Sequence, residues 1–402
     1  MFMRSIVCKE NYYVFFLSCL WMAVLTSSNG GTGVYVLVLL VSILSISSII
    51  KIMHTGLNKT ALILFCIGGI YFIKFLQELA IGFEEFNLQD LIDFATFYFI
   101  FILSAFFYVL LIKCYRLNLI RKSIGFLIII LAIDGFIEFF AGFSILRNDY
   151  RDNIRIHSIF KLNHYGSYMF FLYVLYSILS FKTMGSFIER NTVFIFALVL
   201  LAEFVALSRL PFLLTAILFF LQISFVLVKN QSKNKIISLF VVLFIVSLSV
   251  LFLSDQTRNG KYAGQLNNYL SIESIQNEQE DRRFGSWKDS VEIIGENPLL
   301  GIEAGDFQKN QKQLANGNEI LPHPHSIFIE FLLYSGIPLF TLSLFIFMAL
   351  IYSASGLYGL MLLTFVIPIV GPGSVENASW VLILSACLAL LMIKNLHGEK
   401  ND

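Results

Sequence analysis

The sequence has few charged residues and no basic surplus. Charged residues make up 14% of its 402 residues and hydrophobic residues 57%, whereas ordinary globular chains are about 25% charged. This balance excludes a soluble globular fold. The 28 basic and 27 acidic residues give a net charge of +1, which argues against a nucleic-acid partner. The five cysteines lie in apolar segments or short basic loops, so neither a disulfide framework nor a cysteine zinc site is expected.

Long apolar runs dominate the chain. A helix needs about 20 apolar residues to cross a bilayer, and twelve runs of near that length predict an all-α, polytopic membrane protein. They lie near residues 12–28, 33–53, 61–82, 91–113, 123–146, 165–182, 192–208, 211–229, 236–254, 326–351, 355–372 and 377–394. The predicted division is therefore spans one to nine in residues 1–254, a large loop in 255–325, and three spans with a tail in 326–402.

The loops differ in charge between the two sides of the membrane. With the N-terminus placed inside, more than half of the 28 basic residues fall in the inner loops. The short outer loops are acidic or neutral, as with Glu84 and Glu376. This is the asymmetry of the positive-inside rule. It predicts that both termini are cytoplasmic and that residues 255–325 face outward.

The large outer loop contains a helix signal. Trp287, Val291 and Ile294 recur at helical spacing before a stop at Gly295 and Pro298. We therefore expect a folded, helical cap with Trp287, Val291 and Ile294 on its apolar face. Its acidic residues outnumber its basic ones, so an anion site in the cap has to come from particular arginines.

Three motifs follow one another between residues 205 and 345. The chain reads SRLPFLL from Ser208, RFGSWKDSVEIIGENPLLGIEAGDF from Arg283, and PHPHSIFIEFLLYSGIPLF from Pro322. In order and spacing they resemble the O-antigen ligase and polymerase superfamily, in which Arg-x-x-x-Trp, a glycine-rich N-P-L-x-G turn and a His eleven residues before a Gly recur. Two residues depart from that pattern. Glu303 replaces the usual middle glycine, which makes the turn less permissive, and Ser326 replaces an Asn whose amide would orient the histidine.

The resemblance implies a bacterial inner-membrane glycosyltransferase whose active site faces the periplasm. The donor would be a glycan on undecaprenyl diphosphate. The first choice of acceptor is lipid A-core, as in an O-antigen ligase. The alternatives are a polymerase that joins a second lipid-linked glycan, and a polysaccharide or lipid-carrier transporter. No cofactor is implied, and membrane lipids are the remaining partners.

The chemistry of this transfer suggests roles for particular residues. Arg209 and Arg283 are predicted to bind the diphosphate, because a guanidinium pairs bidentately with phosphate oxygens. His325 is the predicted catalytic base. The secondary candidates are Arg282, His323, Glu303 and Trp287. We expect no metal, because the outward loops contain no Asp-x-Asp pair to hold a divalent cation.

Ionisable residues inside predicted spans are also candidates for function. Lys74 and Glu78 stand four residues apart on the third span, and we expect them to neutralise each other. Asp134 and Glu138 have the same spacing on the fifth span. They repel unless one is protonated or a cation meets them, and in a transporter they would form a proton relay.

Overall fold

A computed structural model represents the chain, and its described part is almost entirely α-helical, as the sequence predicts. The exception is one pair of two-residue strands. The described residues are 21, 59–82, 101–108, 111, 117–146, 149–150, 158, 165–184, 190–206, 208–228, 280–303, 306–314, 320–321, 324, 326–354 and 378–392.

The elements follow one another in a simple order. The helices are α1 (Lys59–Gly82), α2 (Leu117–Ala141), α3 (Tyr165–Met184), α4 (Arg190–Val205), α5 (Arg209–Val228), α6 (Glu280–Glu296), α7 (Phe307–Leu314), α8 (Ile327–Ala354) and α9 (Ala378–Met392). The strands β1 (Phe143–Ser144) and β2 (Asp149–Tyr150) lie between α2 and α3 and pair antiparallel, with Phe143 opposite Tyr150.

Five of these helices match predicted spans closely, namely α1, α3, α4, α5 and α9. By length and composition, two helices in the described part are suited to cross a membrane, Leu117–Ala141 and Phe328–Ile346. Residues 101–108 are helical within the predicted span 91–113. The predicted spans 12–28, 33–53, 236–254 and 355–372 lie outside the described residues, apart from Trp21 in the first. The number twelve therefore stays a prediction.

Two predicted spans differ from the helices that form. Helix α2 ends at Ala141 rather than near residue 146, because Gly142 adopts a left-handed backbone (φ 72°) and its N–H bonds the Glu138 carbonyl at 2.8 Å. Helix α8 is broken at Gly336 (φ 70°, ψ 166°), and Pro338 follows two residues later. The span predicted at 326–351 is thus a short helix followed by a longer one.

The described helices fall into two compact units. In the unit of residues 117–277 and 396–402, α2 to α5 pack against one another. Its helix α3 is buried from Tyr165 to Lys182, and Phe196 of α4 stacks on Phe219 of α5. In the unit of residues 1–116 and 278–395, α8 contacts α1, α6 and α9, and α6 contacts α7.

Candidate active site

Helix α6 carries the arginine–tryptophan motif, and part of its buried face is polar. The buried positions are Ser286, Asp289, Ser290, Ile293 and Ile294. Val291 is 66% exposed, so the predicted apolar face is wrong at this position. The reason is that Asp289 and Ser290 make hydrogen bonds in the interior, which a pattern of hydrophobic residues does not register. The predicted helix itself is confirmed.

Trp287 joins α6 to the segment that precedes α8. Its indole Nε1–H donates to the carbonyl oxygen of Pro324 at 2.9 Å. Pro324 is the residue before His325 in the chain. Arg283 lies one helical turn before Trp287, and residues four apart share a face of a helix. The hydrogen bond therefore joins the helix that carries Arg283 to Pro324.

A second set of hydrogen bonds joins Leu321 to α6 through α7. The buried Asp289 of α6 accepts from Gln311 Nε2 of α7 at 2.7 Å. The Oε1 atom of the same Gln311 accepts from the N–H of Leu321 at 2.9 Å. Since both Asp289 and Gln311 are buried, this chain of bonds is shielded from competing water. The sequence analysis did not single out either residue.

Ser326 is the N-cap of α8. Its Oγ accepts from the N–H of Ile329 at 3.3 Å, and its carbonyl oxygen accepts from the N–H of Glu330 at 2.9 Å. Serine and asparagine are both preferred N-cap residues. The replacement of the usual Asn by Ser326 therefore keeps the start of the helix intact.

The turn after α6 docks on the break in α8 through an exchange of backbone bonds. The N–H of Ile302 donates to the Leu333 carbonyl, and the N–H of Ile337 donates to the Pro298 carbonyl, both at 2.9 Å. In an unbroken helix the Ile337 N–H would bond Leu333 instead. The turn thus satisfies two backbone groups that the break releases, which a membrane protein requires away from water.

Gly301 and Gly336 make this docking possible. Both have a left-handed backbone, with φ of 72° and 70°. A Cβ atom on Gly301 would lie 2.1 Å from the Leu333 carbonyl oxygen, and one on Gly336 would lie 2.4 Å from the Leu299 carbonyl oxygen. Gly301 of the N-P-L-x-G turn therefore packs closely against Gly336, the glycine eleven residues after His325.

Glu303 does not disturb the turn. In the described part of the chain, Ser158 is the one residue other than glycine with a positive φ. Glu303 therefore has a backbone conformation that residues with a side chain adopt readily. The expected restriction of the turn by a residue other than glycine has no effect here. Its carbonyl accepts from the N–H of Asp306 at 3.2 Å, and Asp306 pairs with Lys309 at 3.7 Å. No contact of the Glu303 side chain itself points to a role.

Arg209 is the first residue of α5, directly after a helix break. Ser208 donates its N–H to the Glu203 carbonyl, and its own carbonyl accepts from Phe212, both at 3.0 Å. Pro211 falls in the first turn of α5, where its missing N–H costs no hydrogen bond. The predicted break beside Arg209 is thus confirmed. The first N–H groups of a helix favour anions, which suits the predicted role of Arg209.

Asp134 and Glu138 hold the loop that follows α2. Asp134 Oδ1 accepts from the N–H groups of Ile145 and Leu146 at 2.7 and 3.0 Å. Its Oδ2 accepts from the hydroxyls of Ser144 and Ser158, and Glu138 accepts from the Ser158 N–H. Hydrogen-bond donors of the loop therefore face both carboxylates.

Glu203 is a buried acid that the sequence analysis missed. It is fully buried on α4, and its Oε1 accepts from the Thr215 hydroxyl of α5 at 2.9 Å. The signal was available, because an acidic residue inside an apolar run is unusual. Its carbonyl bond to Ser208 places it at the break before Arg209.

Several predicted site residues fall outside the described part. His323 and His325 are not described, and neither are the side chains of Arg209, Arg282 and Arg283. Of the named candidates, Trp287 and Glu303 have described side chains. Arg283 belongs to one compact unit and Arg209 to the other.

Comparison with known proteins agrees with the motifs. The O-antigen ligase family model matches residues 194–344, which include α5, α6, α7 and the break in α8. The comparison with curated proteins gives no match. The family consists of membrane-embedded, glycosyltransferase-like enzymes and implies lipid-linked glycan substrates. Residues 194–344 therefore carry an O-antigen ligase domain, which supports membership of the O-antigen ligase superfamily.

Proposed function

We propose that this protein is an O-antigen ligase of the bacterial inner membrane. It transfers a glycan from undecaprenyl diphosphate to lipid A-core at the periplasmic face. In this reaction an acceptor hydroxyl oxygen attacks the anomeric carbon of the donor sugar. The bond from that carbon to the diphosphate oxygen breaks, and the diphosphate leaves with the electron pair.

The hydrogen bond from Trp287 to Pro324 carries the proposal. It joins α6, which carries Arg283, to Pro324, the residue before His325 in the chain. The two residue types that this chemistry needs are a cation for the departing diphosphate and a base for the acceptor hydroxyl. The sequence has the first on α6 and the second directly after Pro324.

The arginines bind the departing diphosphate. Arg283 lies in the first turn of α6 and Arg209 is the first residue of α5. Near a helix N-terminus, the backbone N–H groups add to the attraction of an anion. A guanidinium stays charged at every physiological pH and pairs with two phosphate oxygens. Arg282 is the alternative to Arg283, one position earlier on the same helix.

A histidine deprotonates the acceptor hydroxyl. His325 takes the proton of the attacking hydroxyl and returns it to solvent or to the diphosphate. Its chain neighbours are fixed, since Pro324 is bonded to Trp287 and Ser326 caps α8. His323 is the alternative base, because it lies in the same segment.

The contacts of Asp134 and Glu138 weigh against the transporter alternative. A proton relay needs carboxylates that exchange protons along a path, whereas these accept from backbone and serine groups of one loop. The polymerase alternative shares the whole chemistry of the ligase and differs in the acceptor.

A lipopolysaccharide gel from a deletion strain tests the function. We expect loss of every O-antigen band, retention of the lipid-linked polymer, and restoration by the wild-type gene but not by Arg283→Ala. Core that carries one repeat unit would instead identify a polymerase. An unchanged ladder would overturn both.

Reporter fusions test the orientation. A reporter that is active only in the periplasm should be active after Asn310 and silent after Lys233. Fusions at both termini should be silent as well. The reverse pattern would overturn the placement of the active site.

A further inference from the structure

Lys74 of α1 lies at the break in α8. Its ammonium donates to the carbonyl oxygens of Leu300 and Tyr334. Leu300 belongs to the turn after α6, and Tyr334 belongs to the first half of α8. One side chain thus bonds both segments that meet at Gly301 and Gly336.

The Tyr334 carbonyl needs a donor because of Pro338. In a regular helix this carbonyl accepts from the N–H four residues later, and proline has none. The carbonyls at the end of a helix also carry a partial negative charge, which favours a cation there. Lys74 therefore caps the first half of α8 from a neighbouring helix.

An aromatic contact one turn earlier fixes α1 in this register. The Tyr71 hydroxyl lies 3.2 Å from the Ser343 hydroxyl, beyond the break. The Tyr71 ring stacks on Phe101 and meets the edge of Phe331, before the break. Helix α1 thus contacts both halves of α8, with Lys74 at the junction between them.

A lysine in an apolar helix costs free energy unless its ammonium is paired or hydrogen-bonded. The expected partner was Glu78, whose side chain lies outside the described residues. The bonds to the Leu300 and Tyr334 carbonyls stabilise the Lys74 ammonium and do not require an ion pair with Glu78.

We propose that Lys74 is a positioning residue for glycan transfer. Its ammonium holds the 297–301 turn on the broken α8. This turn continues α6, since the Asn297 N–H bonds the Ile293 carbonyl, and α6 in turn holds Pro324 through Trp287. Through α6, Lys74 is therefore connected to Pro324, the residue before His325 in the chain. As a role in catalysis, this inference rests on the proposed function.

The test compares Lys74→Met, which removes the ammonium, with Lys74→Arg, which keeps a cationic donor. Lys59→Met is the matched control, because Lys59 is an exposed residue at the start of the same helix. We expect Lys74→Met to lower kcat about tenfold or more, as a misplaced catalytic segment does. The KM for the lipid-linked donor and the amount in the membrane should change little. Lys74→Arg should recover a large part of kcat, and Lys59→Met should equal wild type.

A second measurement does not depend on activity. Lys309 and Lys312 on α7 are exposed sites for trypsin, and their cleavage should be faster in Lys74→Met because the cap is released. It should be normal in Lys59→Met. If Lys74→Met fails to accumulate, Lys74→Ala, which also removes the ammonium, replaces it in both measurements.

Two outcomes would overturn the inference. One is a Lys74→Met protein with wild-type kcat and wild-type cleavage. The other is a Lys74→Arg protein that is present in full amount and as inactive as Lys74→Met. If the wild-type protein transfers no glycan, the proposed function fails, and the cleavage rates alone still decide whether Lys74 holds the cap.

Discussion

The indole N–H of Trp287 and the carbonyl oxygen of Pro324 lie 2.9 Å apart, although 37 residues separate them in the chain. This bond links the Arg-x-x-x-Trp motif on α6 to the segment that carries the third motif. Trp287 connects the helix that carries Arg283 to Pro324, the residue before His325 in the chain. Trp287 therefore has a structural role as a hydrogen-bond donor.

The first prediction concerns this bond. Trp287→Phe keeps an aromatic ring and removes the N–H donor. A neutral hydrogen bond contributes about 0.5–1.5 kcal/mol, so we expect transfer to fall roughly 2- to 13-fold by in vitro turnover. Lys288→Ala, at the exposed neighbouring residue, is the control and should be active. Equal turnover in Trp287→Phe and wild type would contradict the role of the bond.

The second prediction concerns the glycine contact. In Gly301→Ala and Gly336→Ala, a left-handed backbone costs about 1–2 kcal/mol and overpacking typically about 1–3 kcal/mol more. We expect both variants to unfold at lower temperature in detergent and to lose transfer. Gly295→Ala is the matched control, because a Cβ there meets nothing within 4 Å. A control that loses as much stability would show that the contact is not the cause.

The third prediction separates loop support from proton transfer at Asp134. Asp134→Asn keeps an acceptor for the Ile145 and Leu146 N–H groups, and its amide donates to the two serine hydroxyls. Asp134→Ala leaves these groups unpaired, at about 1–3 kcal/mol for each buried group. Thermal unfolding and complementation should therefore show a working Asn variant and an unstable Ala variant. A stable but inactive Asn variant would instead support a relay.

The fourth prediction concerns the proposed diphosphate ligands. Arg283→Lys and Arg209→Lys keep the charge and lose the bidentate fork. Both should remain severely impaired in complementation, at wild-type levels in the membrane. Arg282→Lys serves as the comparison and should be active. If Arg282→Lys is the impaired variant, the assignment on α6 moves by one residue.

The fifth prediction concerns the base. General base catalysis contributes typically about 10²–10⁴-fold, so His325→Ala should lose turnover by that factor and still bind the lipid-linked donor. His323→Ala should remain active. The measurements are single-turnover transfer and donor binding by the purified protein. Activity in the first variant and none in the second would assign the base to His323, and activity in both would reject this mechanism.

Much of the fold could be predicted from local sequence. The apolar runs at 165–182 and 211–229 became α3 and α5 almost residue for residue, because a helix in lipid satisfies its own backbone hydrogen bonds. The break beside Arg209 was visible as well, since Ser208 and Pro211 act within one turn of it. The buried face of α6 was not, because hydrogen bonds from distant residues make Asp289 an interior residue.

The sequence by itself determined the helices, their breaks and the residue types that transfer chemistry needs, since each depends on neighbours within a few turns. The tertiary structure alone decided what satisfies the groups that the breaks release. Lys74 and Tyr334 are 260 residues apart, and the turn at Gly301 meets a helix break at Gly336. A released backbone group has many possible partners in a chain of this length. Only the packing of α1 and α6 on α8 brings one of them within bonding distance.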